Sequence, residues 1–212
     1  MKLLFITATN TDIGKTYTTL KLIETLANRG FSVGVCKPIE TGVKDRAVDA
    51  YALLNCVKEY NNRFKDFTEK DITAYTFPLP ASPFCADTHQ IIKIEHIKNK
   101  IQELSKLCDI LIVEGAGGLM VPITKEYMMI DLIQELNAKT LLVTSSKLGS
   151  INDTLLSIEA LKNREIDFDW CVNLFQDKDG FKVVTKPFYD KVFPNWWSVQ
   201  DGLDGFIEEL SL

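Results

Sequence analysis

The chain begins with a strand-length apolar run, "KLLFITA", that passes through "TNTDIGKT" into Lys15–Asn28, where apolar residues recur at helical spacing. A Gly-Lys-Thr between a strand and an amphipathic helix turns successive backbone N–H groups toward one point. The positive end of the helix dipole adds to them, and the result holds a phosphate. Gly14 permits the close approach before the helix, Lys15 reaches terminal phosphates, and Thr16 offers a hydroxyl to Mg2+. The common form, G-x-x-x-x-G-K-[ST], places a further glycine where this chain has Thr9.

The same alternation continues along the chain. Strands are expected at Lys2–Ala8, Ser32–Lys37, Asp109–Glu114, Lys139–Ser145 and Asp167–Leu174. Helices are expected at Lys15–Asn28, Ala47–Tyr60, Ile94–Leu107, Met128–Leu136 and Ile151–Asn163. Near-continuous runs such as "ILIV" and "LLVT" suit strands covered on both faces. The expected fold class is therefore α/β, a three-layer, P-loop NTPase-like domain with a mostly parallel central sheet flanked by helices. No linker or repeat interrupts the pattern, so residues 1–212 read as a single nucleotide-binding catalytic domain. The segment "TFPLPASPF", with its three prolines, is expected to be a non-helical excursion, and the acidic tail "DGLDGFIEELSL" suits a short terminal helix.

Composition narrows the partners. A formal charge of −5, with no Lys/Arg cluster longer than two, gives nucleic acid no basic face to bind. No stretch approaches the roughly 18 apolar residues of a membrane span, and the first residues hold too short an apolar core for a leader. The five cysteines are dispersed without a C-x-x-C pair, as in reduced cytoplasmic proteins. His89 and His96 have no metal-ligand or triad pattern around them, and no Ser-His or Cys-His constellation is present.

In parallel sheets ligands bind at the carboxyl ends of the strands, so the residues that follow each strand carry the chemistry. After the second strand, "KPIETG" supplies Lys37, aimed at the crevice of the phosphate loop, and Thr41, able to bond an anion; a surface lysine in a turn is the plainer alternative. Asp49 falls in the first turn of the next helix, where it either complements the helix dipole or ligates Mg2+; its position leaves both open. In "DILIVEGAGGLMVP" an apolar strand ends in Glu114, the place of an acid beside the metal, and Gly115, Gly117 and Gly118 leave a backbone free to close on a ligand. The helix starting near Ser150–Asn152 offers a second anion site, opposed by Asp153. "FDWCVNLF" leaves Asn173 at a strand end, where an amide can pair with a purine edge.

In order and spacing, "ATNTDIGKT", "KPIETG", "VDAYALL", "YTFPLPASP", "VEGAGGLMVP" and "KLGSIND" resemble segments of the dethiobiotin synthetases, over roughly residues 1–175. That family's loop is one residue longer than the common form, which puts Ala8 in the place of its first glycine. Alanine is admissible there only with φ below zero. The resemblance implies an ATP-dependent, Mg2+-requiring ligase of biotin biosynthesis that carboxylates 7,8-diaminononanoate with CO2 and closes the ring. It implies that Lys37, Lys15 and Thr11 act in catalysis, and that Asp12, Ile13, Gly14, Lys15, Thr16, Tyr17 and Asn173 bind ATP or another nucleoside triphosphate. Thr16, Asp49 and Glu114 would hold Mg2+. It further implies a homodimer whose active site spans the interface. Thr41, Gly117 and Gly118 would then meet Gly149, Ser150, Ile151 and Asn152 of the partner subunit around the substrate. The chain departs from the family at Asp12, where Glu is frequent, at "IND" for "INH", at Leu174 for Asp, and at "VFPNWW", which replaces a Gly-x-x-Pro-like turn near the base.

A rival of another class is the partition or septum-site ATPase, a nucleotide-switched binding protein of related fold. Its loop carries an early extra lysine, where this chain has Thr9, Asn10 and Thr11. A small-molecule kinase would show an Arg-rich lid, whereas Arg29, Arg46, Arg63 and Arg164 are scattered.

Overall fold

Continuous apolar runs become strands here because helices cover both of their faces. The computed structural model describes residues 2–210. Its first half contains β1 (Lys2–Ala8), α1 (Lys15–Asn28), β2 (Val33–Cys36), β3 (Ile39–Thr41), α2 (Val48–Tyr60), α3 (Glu69–Ile72), β4 (Tyr75–Phe77), α4 (Pro83–Ala86) and α5 (Ile94–Ser105). The second half contains β5 (Ile110–Gly118), α6 (Met129–Leu136), β6 (Lys139–Ser145), α7 (Ser150–Asn163), β7 (Phe168–Asn173), α8 (Lys178–Gly180), α9 (Lys186–Val192), β8 (Trp197–Ser198) and α10 (Leu203–Glu209).

Among the described residues the main sheet has the order β2-β5-β1-β6-β7-β8, and its pairings are parallel. β1 lies at the middle, between β5 and β6, and its Phe5 and Ile6 are wholly buried with Ile112, Val113, Leu141 and Leu142 of those neighbours. α1 packs Leu22, Ile23 and Leu26 onto the sheet. Its buried Thr18 and Thr19 send their hydroxyls back to the carbonyls of Gly14 and Lys15, so neither is left unpaired at the helix start. None of the helices among the described residues is long and apolar enough to cross a membrane.

The structure corrects three expectations. β5 does not stop at Glu114 but runs to Gly118, pairing Ala8 with Gly118 past an irregularity. A Cβ on Gly118 would stand 3.1 Å from the Thr9 carbonyl oxygen, so the glycines let this strand lie against the phosphate loop rather than form a free loop of their own. "KPIETG" is not a simple turn, because Ile39–Thr41 pairs in parallel with Tyr75–Phe77 in a second, two-stranded sheet. The proline-rich excursion includes a short helix, α4, which Pro83 begins and Ser82 caps; proline is well suited to a first helical position, whose N–H has no partner within the helix. Ala8 lies within β1 and is not among the residues of positive φ, as the longer loop requires.

The C-terminal segment is held by aromatic packing. Trp170 of β7 meets Tyr189 and Phe193 edge to face, each at 5.1 Å between ring centres. The Tyr189 hydroxyl joins Thr154 at 3.0 Å, and Thr154 joins Thr144 at 2.6 Å, so these aromatics also fix α7 against β6.

β2 gives a test of the packing. A Cβ on Gly34 would stand 2.7 Å from Cys108 Sγ and 2.9 Å from Phe64 Cζ. Gly34→Ala should therefore lower the unfolding free energy by about 1–3 kcal/mol in chemical denaturation. An unshifted midpoint would mean that the layer over β2 yields freely.

Candidate active site

The carboxyl ends of the central strands open onto a cleft of about 1150 Å3. Of the residues marked by the sequence, Thr11, Asp12, Gly14, Lys15, Thr16, Tyr17, Lys37, Thr41, Asp49, Gly117 and Asn173 line it. Glu114, Ile13 and Gly118 are buried and do not line it, though Glu114 bonds to Lys37 and Thr16, which do. Gly149, Ser150, Ile151 and Asn152, at the start of α7, are not part of this lining.

Strand register builds the floor. Cys36 of β2 pairs with Val113 of β5, so the next residues, Lys37 and Glu114, come side by side at the sheet's carboxyl edge. Lys37 is 3% exposed and Glu114 fully buried. The Lys37 Nζ donates to Glu114 Oε1 at 2.6 Å and lies 3.0 Å from Asp49 Oδ2. Two hydroxyls of α1 complete the Glu114 carboxylate: Thr16 Oγ1 donates to Oε1 at 2.9 Å and Thr19 Oγ1 to Oε2 at 2.7 Å. Burial alone would push the Lys37 ammonium down, but Glu114 and Asp49 outweigh it and hold its pKa above the usual lysine value. Burial works against the Asp49 carboxylate, yet Lys37 and Thr16 keep its pKa below the usual value.

The phosphate loop is shaped by backbone. Gly14 adopts φ +99°, and a Cβ there would fall 2.0 Å from the Asn173 Nδ2, so glycine is required on both counts. Asn173 Nδ2 donates to the Ile13 carbonyl at 2.9 Å, while its Oδ1 accepts from Gln200 Nε2 at 2.9 Å. Gln200 Oε1 in turn accepts the Leu174 N–H at 3.1 Å. The backbone partners fix how both amides point, and the C-terminal segment thereby braces the loop. Lys15 Nζ donates to the Asn10 carbonyl at 3.2 Å. Its burial and then the nearby Lys37 ammonium lower its pKa to about 8.

Three residues that the sequence pattern does not mark also belong to the site. Thr19 sits four residues beyond Lys15 on the buried face of α1, and that spacing is the one signal that could have flagged it. Glu40 accepts the backbone N–H groups of Asp49 and Ala50 at the start of α2. Gln200 comes from a stretch without recognisable periodicity.

The donor set fits Mg2+. No group of three or more His, Cys, Asp or Glu side chains among the described residues forms a cage of its own. What converges instead is a threonine hydroxyl with two carboxylates, around an ammonium that offsets one of their two charges. Mg2+ at a nucleotide is held in this way, by one or two carboxylates and a hydroxyl with phosphate oxygens completing the octahedron.

A family model described as an AAA domain matches residues 2–169. The ATP-dependent dethiobiotin synthetase of Sulfurovum sp. (strain NBC37-1) is 60% identical over 210 residues, covering 99% of this chain and 100% of that protein. That of Methanocaldococcus jannaschii is 38% identical over 175 residues, 78% and 76% of the two chains. Among solved structures, the MinD cell division protein of Aquifex aeolicus has a TM-score of 0.54 at 18% identity, covering 97% of this chain and 86% of its own. A plasmid partition protein from Borrelia burgdorferi has a TM-score of 0.58 at 11% identity, covering 98% of both chains. Those two share the fold with this chain and nothing more specific at such identities. The sequence relatives decide the matter: this chain belongs to the ATP-dependent dethiobiotin synthetase family.

Proposed function

We propose that residues 1–212 act as one catalytic domain that joins 7,8-diaminononanoate and CO2 into dethiobiotin at the expense of a nucleoside triphosphate, in biotin biosynthesis. The observation that carries the assignment of roles is the Lys37 ammonium, held between Glu114 and Asp49 in the lining of the phosphate-loop cleft.

One amine of the diamine adds to CO2 and releases a proton, giving a carbamate. A carbamate oxygen attacks the γ-phosphorus and the nucleoside diphosphate leaves, producing a carbamic–phosphoric anhydride. The second amine attacks the anhydride carbonyl, phosphate departs with that oxygen, and a second proton is lost as the cyclic urea forms. Such phosphoryl transfer asks the protein for position and charge neutralisation rather than for a nucleophile. Lys15 and the backbone of Asp12–Tyr17 hold the phosphates, while Asn173 fixes the loop beside the base. Lys37 neutralises the carbamate and the moving phosphoryl group, with Thr11 and Thr41 bonding nearby. Mg2+, when bound, neutralises phosphate oxygens, and Thr16, Asp49 and Glu114 are the residues that would hold it.

The diamine's carboxylate tail belongs with Gly117 and Gly118 and with Gly149, Ser150, Ile151 and Asn152 of the partner subunit, in a homodimer. The start of α7 supports this by its exposed Leu148 and its left-handed Gly149, both outside the cleft of their own chain. Dispersed cysteines and acidic charge fit a cytoplasmic enzyme without nucleic-acid or membrane partners.

Nucleotide hydrolysis should require both the diamine and bicarbonate, and Lys37→Ala should reduce it by roughly two to three orders of magnitude. Turnover indifferent to the diamine would return the chain to the nucleotide-switch class. The depressed Lys15 sets a pH dependence. Below about 8 Lys15 is cationic and attracts the phosphates; above that it loses its proton well before an ordinary lysine would. Nucleotide affinity should therefore fall as pH rises through about 8, with proton uptake on binding above it, and the bend should vanish in Lys15→Met. A wild-type affinity that stays flat from pH 7 to 10 would contradict the role given to Lys15.

A further inference from the structure

α2 begins without a cap of its own. Its N-cap residue is Ala47, whose methyl group can accept no hydrogen bond, and no side chain caps the helix locally. The first-turn amides are satisfied from elsewhere. The Asp49 N–H donates to Glu40 Oε1 at 3.0 Å and the Ala50 N–H to Glu40 Oε2 at 2.9 Å. Glu40 is 7% exposed and sits on β3, where its pairing with Thr76 of β4 holds its backbone. A buried carboxylate that accepts two helix amides forms strong, charge-assisted bonds and also meets the positive end of the dipole.

The residue anchored this way is Asp49, whose side chain lies 3.0 Å from Lys37 Nζ and is 43% exposed. Its backbone is thus held by Glu40 and its carboxylate by Lys37, two residues only three positions apart in the chain. An acid so exposed has water as an alternative partner, and the direction it takes depends on where the first turn of α2 is fixed.

We infer that Glu40 is a positioning residue, capping α2 from β3 and so presenting the Asp49 carboxylate to the metal side of the cleft. This rests on the reading of the cleft as a magnesium–nucleotide site. Glu40 itself lines the cleft, but both of its oxygens are engaged by α2, so its action passes through the helix rather than to a substrate.

The test uses the full chain as wild type, Glu40→Gln, Glu40→Ala and the double variant Glu40→Ala/Ala47→Ser. Two quantities are measured: amide hydrogen exchange at Asp49 and Ala50, and the Mg2+ concentration that half-saturates binding of a non-hydrolysable ATP analogue. Glu40→Ala should speed exchange at both amides and raise the half-saturating Mg2+ by about tenfold, the usual scale for an outer-sphere support. Glu40→Gln keeps one acceptor and should fall between. Serine at position 47 can accept from one of those two amides, so the double variant should move both quantities back toward the wild-type values. The inference is overturned if Glu40→Ala leaves either quantity at its wild-type value, as a residue serving stability alone would leave the Mg2+ requirement. It is also overturned if exchange and Mg2+ requirement part company in any variant. A wild-type chain with no Mg2+-dependent nucleotide binding contradicts the reading of the cleft itself, and the exchange rates then decide the cap separately.

Discussion

The pairing of Lys37 with Glu114 is the interaction on which the rest of the site depends. Both groups lie out of water, and removing one partner of such a pair leaves a buried charge at a cost of about 3–5 kcal/mol. The pair forms because β2 and β5 are neighbours in parallel register, with Cys36 opposite Val113. Glu114 then fixes α1 through Thr16 and Thr19, and α1 begins at the phosphate loop. Sheet register, helix placement and loop position are thereby linked through one carboxylate.

Around that pair the charges come close to balance. Lys15 and Lys37 face Asp49 and Glu114, and the carboxylate of Glu40 is spent on helix amides. Burial, and then the crowding of two cations, fall on Lys15, whose proton is the more loosely held of the two. A polyanionic ligand relieves that crowding, which is how a folded protein keeps affinity for phosphate in reserve.

Much of this was legible in the sequence, for a physical reason that also marks where legibility ended. β1, α1 and β6 have the bounds their patterns predict, because each is long enough for its period to show. The glycines after Glu114 signalled a ligand site, but strand pairing extends through them, since glycine can also let two backbones approach closely. β3 and β4 are three residues each, too short to carry a period, and so the sheet that positions Glu40 left no trace. Asn173 was marked by its place at a strand end. Its partner Gln200 was not, because a contact across 27 positions has no local signature. The likeness to MinD and partition proteins reflects the same limit from the other side. A shared sheet order does not carry a reaction, whereas Thr9, Asn10 and Thr11 in the loop, with Lys37 beside Glu114, bear on the chemistry directly.

The central claim is that a carbamate oxygen, held by Lys37, takes the phosphoryl group. Turnover with 18O-labelled bicarbonate and unlabelled water, quenched before the label exchanges, tests it by mass spectrometry of the inorganic phosphate. The account predicts one bicarbonate-derived oxygen in each phosphate released. Phosphate free of label, with dethiobiotin formed at the normal rate, would contradict it.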